Sequence, residues 1–300
     1  MASRGFILIA MGKPLYGRLA YNLANSIKSG YEGKDYPITL YYKGEVFRNF
    51  QNRHYTVFDE VKEIPEELSY YGGKLCPFLT KLSLYDLLPY EQNIYLDVDT
   101  ICFEEAKYGA LFQRMEREYF CTSFTHIVRR SRHNRNTFEG GVHIWLDPLT
   151  LSEVFPELES FPVVCTSFMY LAKNEATKKL LEKAVSLYKD VWDKKIILNK
   201  VEYRNQIADE PILSIALGLS QYKASEVPYT PITSPEKFTS TNKEREEYIR
   251  RNYIGLTIPG EPSHRWYIKL YNDIVTRNNL RRGMWNNFHW DSSKAFGVIR

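Results

Sequence analysis

The chain lacks any C-x-x-C pair. Its four cysteines, Cys76, Cys102, Cys121 and Cys165, stand far apart, and all read as reduced core residues of a cytosolic protein rather than as a disulfide framework. It also lacks an N-x-[ST] acceptor, an internal repeat, a low-complexity tract and any linker long enough to argue for two independent domains. No apolar window approaches a membrane span, and the opening MASRGFILIAMGKP holds too short an apolar run for a signal peptide. No membrane partner is expected, and a cytoplasmic location is. The two signs of charge nearly balance as well: a formal net charge of +4 over 300 residues does not by itself make a nucleic-acid binder.

What is present is an ordinary globular composition, 44% apolar and 25% charged, with enough chain for one large α/β domain or two small ones. Tyrosine is abundant, 23 against 16 phenylalanines. Such rings suit sites for sugars or bases, because the ring stacks while the hydroxyl stays wet. Basic residues cluster in two places. HIVRRSRHNR, from His126 to Arg135, holds four arginines and two histidines with no acid, and Arg277 to Arg300 holds five basic residues and one acid, Asp291. Either could meet phosphates.

Strand-like and helix-like stretches alternate. Gly5 to Gly12 reads as a buried strand, followed by Tyr16, Leu19, Leu23 and Ile27 at helical spacing. Ile38 to Lys43 reads as a second strand. Leu75, Leu79, Leu82 and Tyr85 predict a helix that Pro89 ends before the strand around Asn93. Tyr119 to Phe124 reads as a strand, with the basic segment as the loop after it, and Phe138 to Pro148 as another strand. Val163 onward gives a strand and then a helix with Leu180, Leu181, Ala184, Val185 and Tyr188 on one stripe. Ala208 to Leu219 reads as a helix with Asp209, Glu210 and Pro211 at its N-terminus. This alternation predicts a mostly parallel sheet covered on both faces, with ligands beyond the carboxyl ends of its strands.

One such end carries an anomaly. In NIYLDVDTICFEE, Asp97 and Asp99 interrupt a stretch that otherwise reads as buried, and each carboxylate is costly to desolvate unless paired or bound to a metal. In an extended chain the two would face opposite sides, whereas a turn beginning at Val98 would bring them to one crevice. Two hard oxygen ligands suit Mg²⁺ or Mn²⁺ held together with a diphosphate.

KLSLYDLLPYEQNIYLDVDTICF resembles the metal-binding segment of GT-A-fold glycosyltransferases, in particular the glycogenin and galactosyltransferase-like family 8. Lys81, Asp97, Asp99 and Thr100 stand at positions matching that family's lysine-bearing helix and D-x-D-T. ILIAMGKPLYGRLAYNLANSIKS is similar to its first strand and helix, with Ala10 and Tyr16 where the nucleotide base packs. In CTSFMYLAKNEATKKLLEKA, Cys165, Thr166 and Ser167 stand where the family writes N-[SA]-G; FEGGVHIW is a rival for that segment. DEPILSIAL resembles its later D-Q-x-x-x-N, with Glu210 in place of the glutamine. These segments span most of residues 6 to 220, in the family's order. In TIPGEPSHRWY, Thr257 stands where the family places a metal-ligating histidine.

The resemblance implies a GT-A-like (Rossmann-like) α/β core over residues 1–225, with a C-terminal extension over 226–300 in a single domain. It implies metal-dependent transfer from a nucleotide-diphosphate sugar, UDP-sugar favoured, to a hydroxyl acceptor with retention. Asp97 and Asp99 would hold Mn²⁺ or Mg²⁺, with His264 as third ligand and His289 as the other candidate. Donor contacts would come from Ala10, Tyr16, Lys81, Asp97, Val98, Asp99, Thr166 and Ser167, and catalysis from Asp209, Glu210 and Lys81. Arg129, Arg130, Arg132 and Arg135 would grip the acceptor: a saccharide, a protein, or a nucleic acid such as a modified base in DNA. Two other readings stay open. One is a sugar nucleotidyltransferase, for which AMGKPLYGR is a poor phosphate loop; the other is a non-catalytic nucleic-acid-binding protein on the same fold.

Overall fold

A computed structural model of the chain describes residues 3–48, 50–139, 146–196, 207–221, 232–233 and 243–257. Along the chain run β1 (Arg4–Gly12), α1 (Pro14–Ser29), β2 (Ile38–Gly44), α2 (Asn52–Tyr55), β3 (Glu60–Glu63), α3 (Glu66–Ser69), β4 (Tyr70–Tyr71), β5 (Lys74–Leu75) and α4 (Pro77–Leu82). Then come β6 (Gln92–Leu96), β7 (Thr100–Cys102), α5 (Tyr108–Met115), β8 (Phe120–Arg130), β9 (Phe138–Glu139), α6 (Pro148–Val154), β10 (Ser160–Ala172), α7 (Glu175–Asp193) and α8 (Asp209–Leu219). Last are β11 (Ile232–Thr233), a helix α9 (Lys243–Asn252) and β12 (Gly255–Thr257). Among the described residues no helix is long and apolar enough to cross a membrane.

The chain forms two compact units, each built from discontinuous segments. One comprises Phe6–Glu63, Leu96–Gln113 and Pro231–Arg300. Within it β1, β2 and β3 are parallel, in the order β3-β2-β1. Their apolar runs explain this: β1 is buried from Gly5 to Met11, as a strand covered on both faces must be. Gly12 lies opposite Gly44 in register, both at positive φ (82° and 83°), and a Cβ on Gly44 would approach the Gly12 Cα to 3.2 Å. These two residues let both strands turn away at the same level. A single residue, Lys13, then separates β1 from α1, whose Leu19, Leu23 and Ile27 are buried as the spacing predicts. Phe6, Tyr108 and Phe112 pack edge to face, with the first two ring centroids 4.9 Å apart. A second sheet here runs β11-β12-β7, with β12 antiparallel to β7.

The other unit comprises Met1–Gly5, Ile64–Tyr95 and Arg114–Thr230. Its strands lie in the order β6-β10-β8-β9, and β8 pairs antiparallel with both β10 and β9. The expected helix from Leu75 to Tyr85 is broken: Leu75 belongs to the two-residue β5, Pro77 opens α4, and a 3₁₀ turn over Leu84–Leu87 replaces the rest. Proline at the first helical position fixes that start. The basic segment also differs from expectation, since β8 continues through Arg130 before the chain turns. α7 begins at an Asn174 side chain that accepts from the Thr177 N–H at 3.0 Å, a standard N-cap.

β10 carries the feature that matters most for the site. Cys165 lies opposite Ser123, yet the next pair is Met169 opposite Thr122. Residues 166–168 therefore bulge out of the ladder. The Thr122 hydroxyl lies 2.9 Å from both the Cys165 and the Phe168 carbonyl oxygens and so stitches the bulge closed. α8 lies along the same strand, where the Val164 N–H donates to Ser214 Oγ at 3.3 Å.

Candidate active site

Asp97 and Asp99 sit where β6 ends. Leu96 is fully buried, Asp97 and Asp99 are half-buried, and Val98 between them is buried. The Thr100 N–H donates to the Asp97 carbonyl at 3.0 Å, so the backbone turns over residues 97–100. Thr100 opens β7 and pairs with Thr257 on β12, the two hydroxyl oxygens 2.7 Å apart. Thr257 thus borders the acidic turn and contributes a hydroxyl there. Among the described residues no group of three or more His, Cys, Asp or Glu gathers as a metal-ligand set. His264 and His289, the expected third ligands, lie outside the described residues, as does most of the FEGGVHIW segment. In the same unit, Ala10 is wholly buried on β1, while Tyr16, in the first turn of α1, is 39% exposed.

In the other unit the predicted residues converge tightly. Lys81 on α4 is 8% exposed and Asp209, at the start of α8, only 3%. Lys81 Nζ lies 3.2 Å from Asp209 Oδ2, and 5.3 Å from the Tyr95 ring centroid. Thr166 Oγ1 donates to the same Oδ2 at 2.5 Å, and the Thr166 N–H donates to Glu210 Oε1 at 3.3 Å. Ser167 Oγ lies 3.1 Å from Cys165 Sγ. Both acids occupy the first turn of an eleven-residue helix, where the backbone dipole favours negative charge. A buried carboxylate this poor in water persists only when paired and hydrogen-bonded, as this one is. Nearby, burial pushes the Tyr188 phenol well up, with Cys76 and then the charge of Asp209 adding to it.

Of the residues the sequence singles out, Lys81, Thr166, Asp209 and Glu210 come together, and three partners are not among them. Thr122 shapes the bulge, Tyr95 faces the ammonium, and Ser214 ties α8 to β10. None has a sequence signature, since each is an ordinary residue of a regular element. A cleft of about 390 Å³, lined by residues of α4 and α7 such as Leu79, Leu82, Leu181 and Val185, holds none of the predicted site residues.

The four arginines of the basic segment have different fates. Arg130 is buried; its Nε donates to the Leu158 carbonyl and its Nη2 to the Phe155 carbonyl, each at 3.0 Å, and Nη1 reaches the Arg135 carbonyl. Its guanidinium also lies 4.9 Å from the Phe138 ring centroid. Arg135 pairs with Glu159 at the surface. Arg129 and Arg132 are exposed.

No family model matches the chain, and no curated protein matches it in sequence. Solved structures do match. The galactosyltransferase LgtC, in complex with donor and acceptor sugar analogues, aligns over 94% of this chain and 99% of that one, with TM-score 0.50 and 11% identity. An active-site mutant of LgtC gives the same coverage, TM-score and identity. Mouse xyloside xylosyltransferase 1 in its apo form covers 85% of this chain and 97% of that one, at TM-score 0.44 and 11% identity. At such identity the likeness is one of fold. The chain has a mixed α/β fold of the GT-A type, its mostly parallel central sheet flanked by helices.

Proposed function

We propose that this chain is a glycosyltransferase that moves a sugar from a nucleotide-diphosphate donor, UDP-sugar favoured, to a hydroxyl acceptor with retention, residues 226–300 extending a core over 1–225. The observation that carries the reading is the buried cluster of Lys81, Thr166 and Asp209, with Glu210 beside it at the N-terminus of α8. Buried ionic pairs of this kind, whose desolvation cost rivals their attraction, cluster at functional sites. In this reading Asp209 and Glu210 accept hydrogen bonds from sugar hydroxyls, and Lys81 holds Asp209 in place. Tyr16 offers an exposed ring for the base.

Asp97 and Asp99 supply hard carboxylate oxygens on either side of one turn, which suits part of a Mn²⁺ or Mg²⁺ shell completed by water and diphosphate oxygens. Such an ion would offset the charge of the departing diphosphate. Of the four arginines, Arg129 and Arg132 are exposed, and Arg135 is exposed beside Glu159; these would meet a phosphorylated acceptor, DNA with a hydroxylated base among them, beside saccharide and protein acceptors. The connection from β1 to α1 tells against the nucleotidyltransferase alternative, because one residue leaves no room for a glycine-rich phosphate loop.

The test is a panel of UDP-, GDP- and other nucleotide sugars, with and without Mn²⁺, read by thermal shift and by release of the nucleoside diphosphate. One donor should stabilise the protein only with Mn²⁺ and be slowly hydrolysed. Asp97→Ala and Asp99→Ala should each cut that hydrolysis by roughly 100-fold or more. A flat response to every donor overturns the reading. Nucleic-acid binding that survives in Asp97→Ala, with no donor response in the wild type, favours the non-catalytic alternative.

A further inference from the structure

Thr166 touches both acids at the start of α8, by two different routes. Its hydroxyl donates to Asp209 Oδ2 at 2.5 Å, and its backbone N–H donates to Glu210 Oε1 at 3.3 Å. The bulge in β10 makes the second bond possible. A residue in regular register commits its N–H to the ladder or to solvent, whereas residues 166–168 lie outside the pairing with β8. The side chain is equally committed, for Thr166 is 1% exposed and its hydroxyl shares Oδ2 with the Lys81 ammonium. The β-branch of threonine narrows χ1 and holds that hydroxyl in one direction.

We infer that Thr166 is a positioning residue, which fixes the orientation of Asp209 through its hydroxyl and of Glu210 through its main chain, so that a strand bulge sets the geometry of both acids. The inference rests on the glycosyltransferase reading above. It differs from the expectation that Thr166 meets the donor sugar directly, because the hydroxyl that would do so is bound to Asp209. The two routes are separable: Thr166→Val keeps the shape and the bond to Glu210 and removes only the hold on Asp209. The effect belongs on the chemical step, where misplacement of a group by about 1 Å can cost ~100-fold.

The experiment compares wild type, Thr166→Val, Thr166→Ala and Thr166→Ser in Mn²⁺-dependent hydrolysis of the preferred nucleotide sugar, with kcat and KM measured separately. Val and Ala should lower kcat by roughly 10- to 100-fold with donor KM changed less than about threefold, and Ser should recover to within about tenfold of wild type. Thr166→Ala serves if the valine variant does not fold. A kcat unchanged in Val and Ala overturns the inference while the transfer reading stands. A rise in donor KM at constant kcat also overturns it, by making Thr166 a donor contact. A wild type that turns over no nucleotide sugar overturns the transfer reading and this inference with it.

Discussion

Lys81 and Asp209 show how much a single residue carries here. Their side chains are 10% and 5% exposed, and the ammonium approaches Oδ2 to 3.2 Å. In a buried pair, removing one partner costs more than the pair itself contributes, because the survivor keeps its desolvation cost. Lys81→Met should therefore destabilise the protein by about 3–5 kcal/mol in urea unfolding. The double variant Lys81→Met/Asp209→Asn should recover part of that loss. Equal stability of Lys81→Met and wild type would show that the pair is not formed in solution. At this scale the sequence points to particular residues. Asp97 and Asp99 stood out because carboxylates do not belong in a buried strand, and Lys81, Thr166 and Asp209 followed from the resemblance. That Thr166 spends its hydroxyl on Asp209 was not legible, since a motif gives positions and not the direction of a side chain. Arg130 was misleading for a related reason. It looked like its three neighbours, yet three carbonyl oxygens absorb its donors inside the fold.

Among the elements, β10 is the most consequential. Its bulge is held by one hydroxyl, that of Thr122, lying 2.9 Å from two carbonyl oxygens. Replacing it with an isosteric methyl removes the one O–H proton that the two carbonyls share. Thr122→Val should cost about 1–2 kcal/mol in stability and speed amide exchange around Phe168 and Met169, as read by hydrogen–deuterium exchange. Exchange and stability both unchanged would mean that the bulge holds itself. Strand β10 was legible in the sequence from its apolar run, and α7 from its stripe of Leu180, Leu181, Ala184, Val185 and Tyr188, of which Val185 alone is half-buried and the rest buried. The bulge was not, because an offset exists only against a partner strand, and VVCTSFMY reads the same with or without one. The expected helix around α4 failed for the opposite reason: Leu75, Leu79, Leu82 and Tyr85 keep helical spacing, but Pro77 sets a later start and the last turn tightens to 3₁₀.

Taken whole, the molecule carries a net charge of only +4, so any affinity for nucleic acid must come from where the charges stand. Arg129 and Arg132 are exposed, and Arg130 is not. Binding to single-stranded DNA, followed by fluorescence anisotropy across a salt series, should weaken in Arg129→Ala and Arg132→Ala. Each should lower the slope of log K against log salt by about 0.7. Arg130→Ala should instead lower thermal stability. Slopes unchanged in both surface variants would remove the phosphorylated acceptor from the proposal. The α/β class was legible at this scale from the alternation of apolar strands and amphipathic helices. The interleaving of two units was not, because contacts between distant segments leave no local trace.

Within one of those units, built from segments far apart in the chain, β7 pairs with β12 and Thr100 meets Thr257 across 157 residues of sequence. On a ribosome adding about 5–20 residues per second, the strand that follows the Asp97–Asp99 turn waits roughly eight to thirty seconds for its partner to emerge. Until then its edge stays open to any other strand. The acidic turn is therefore synthesised well before the strand that braces β7, and a nascent chain that stalls before Gly255 leaves that turn unbraced.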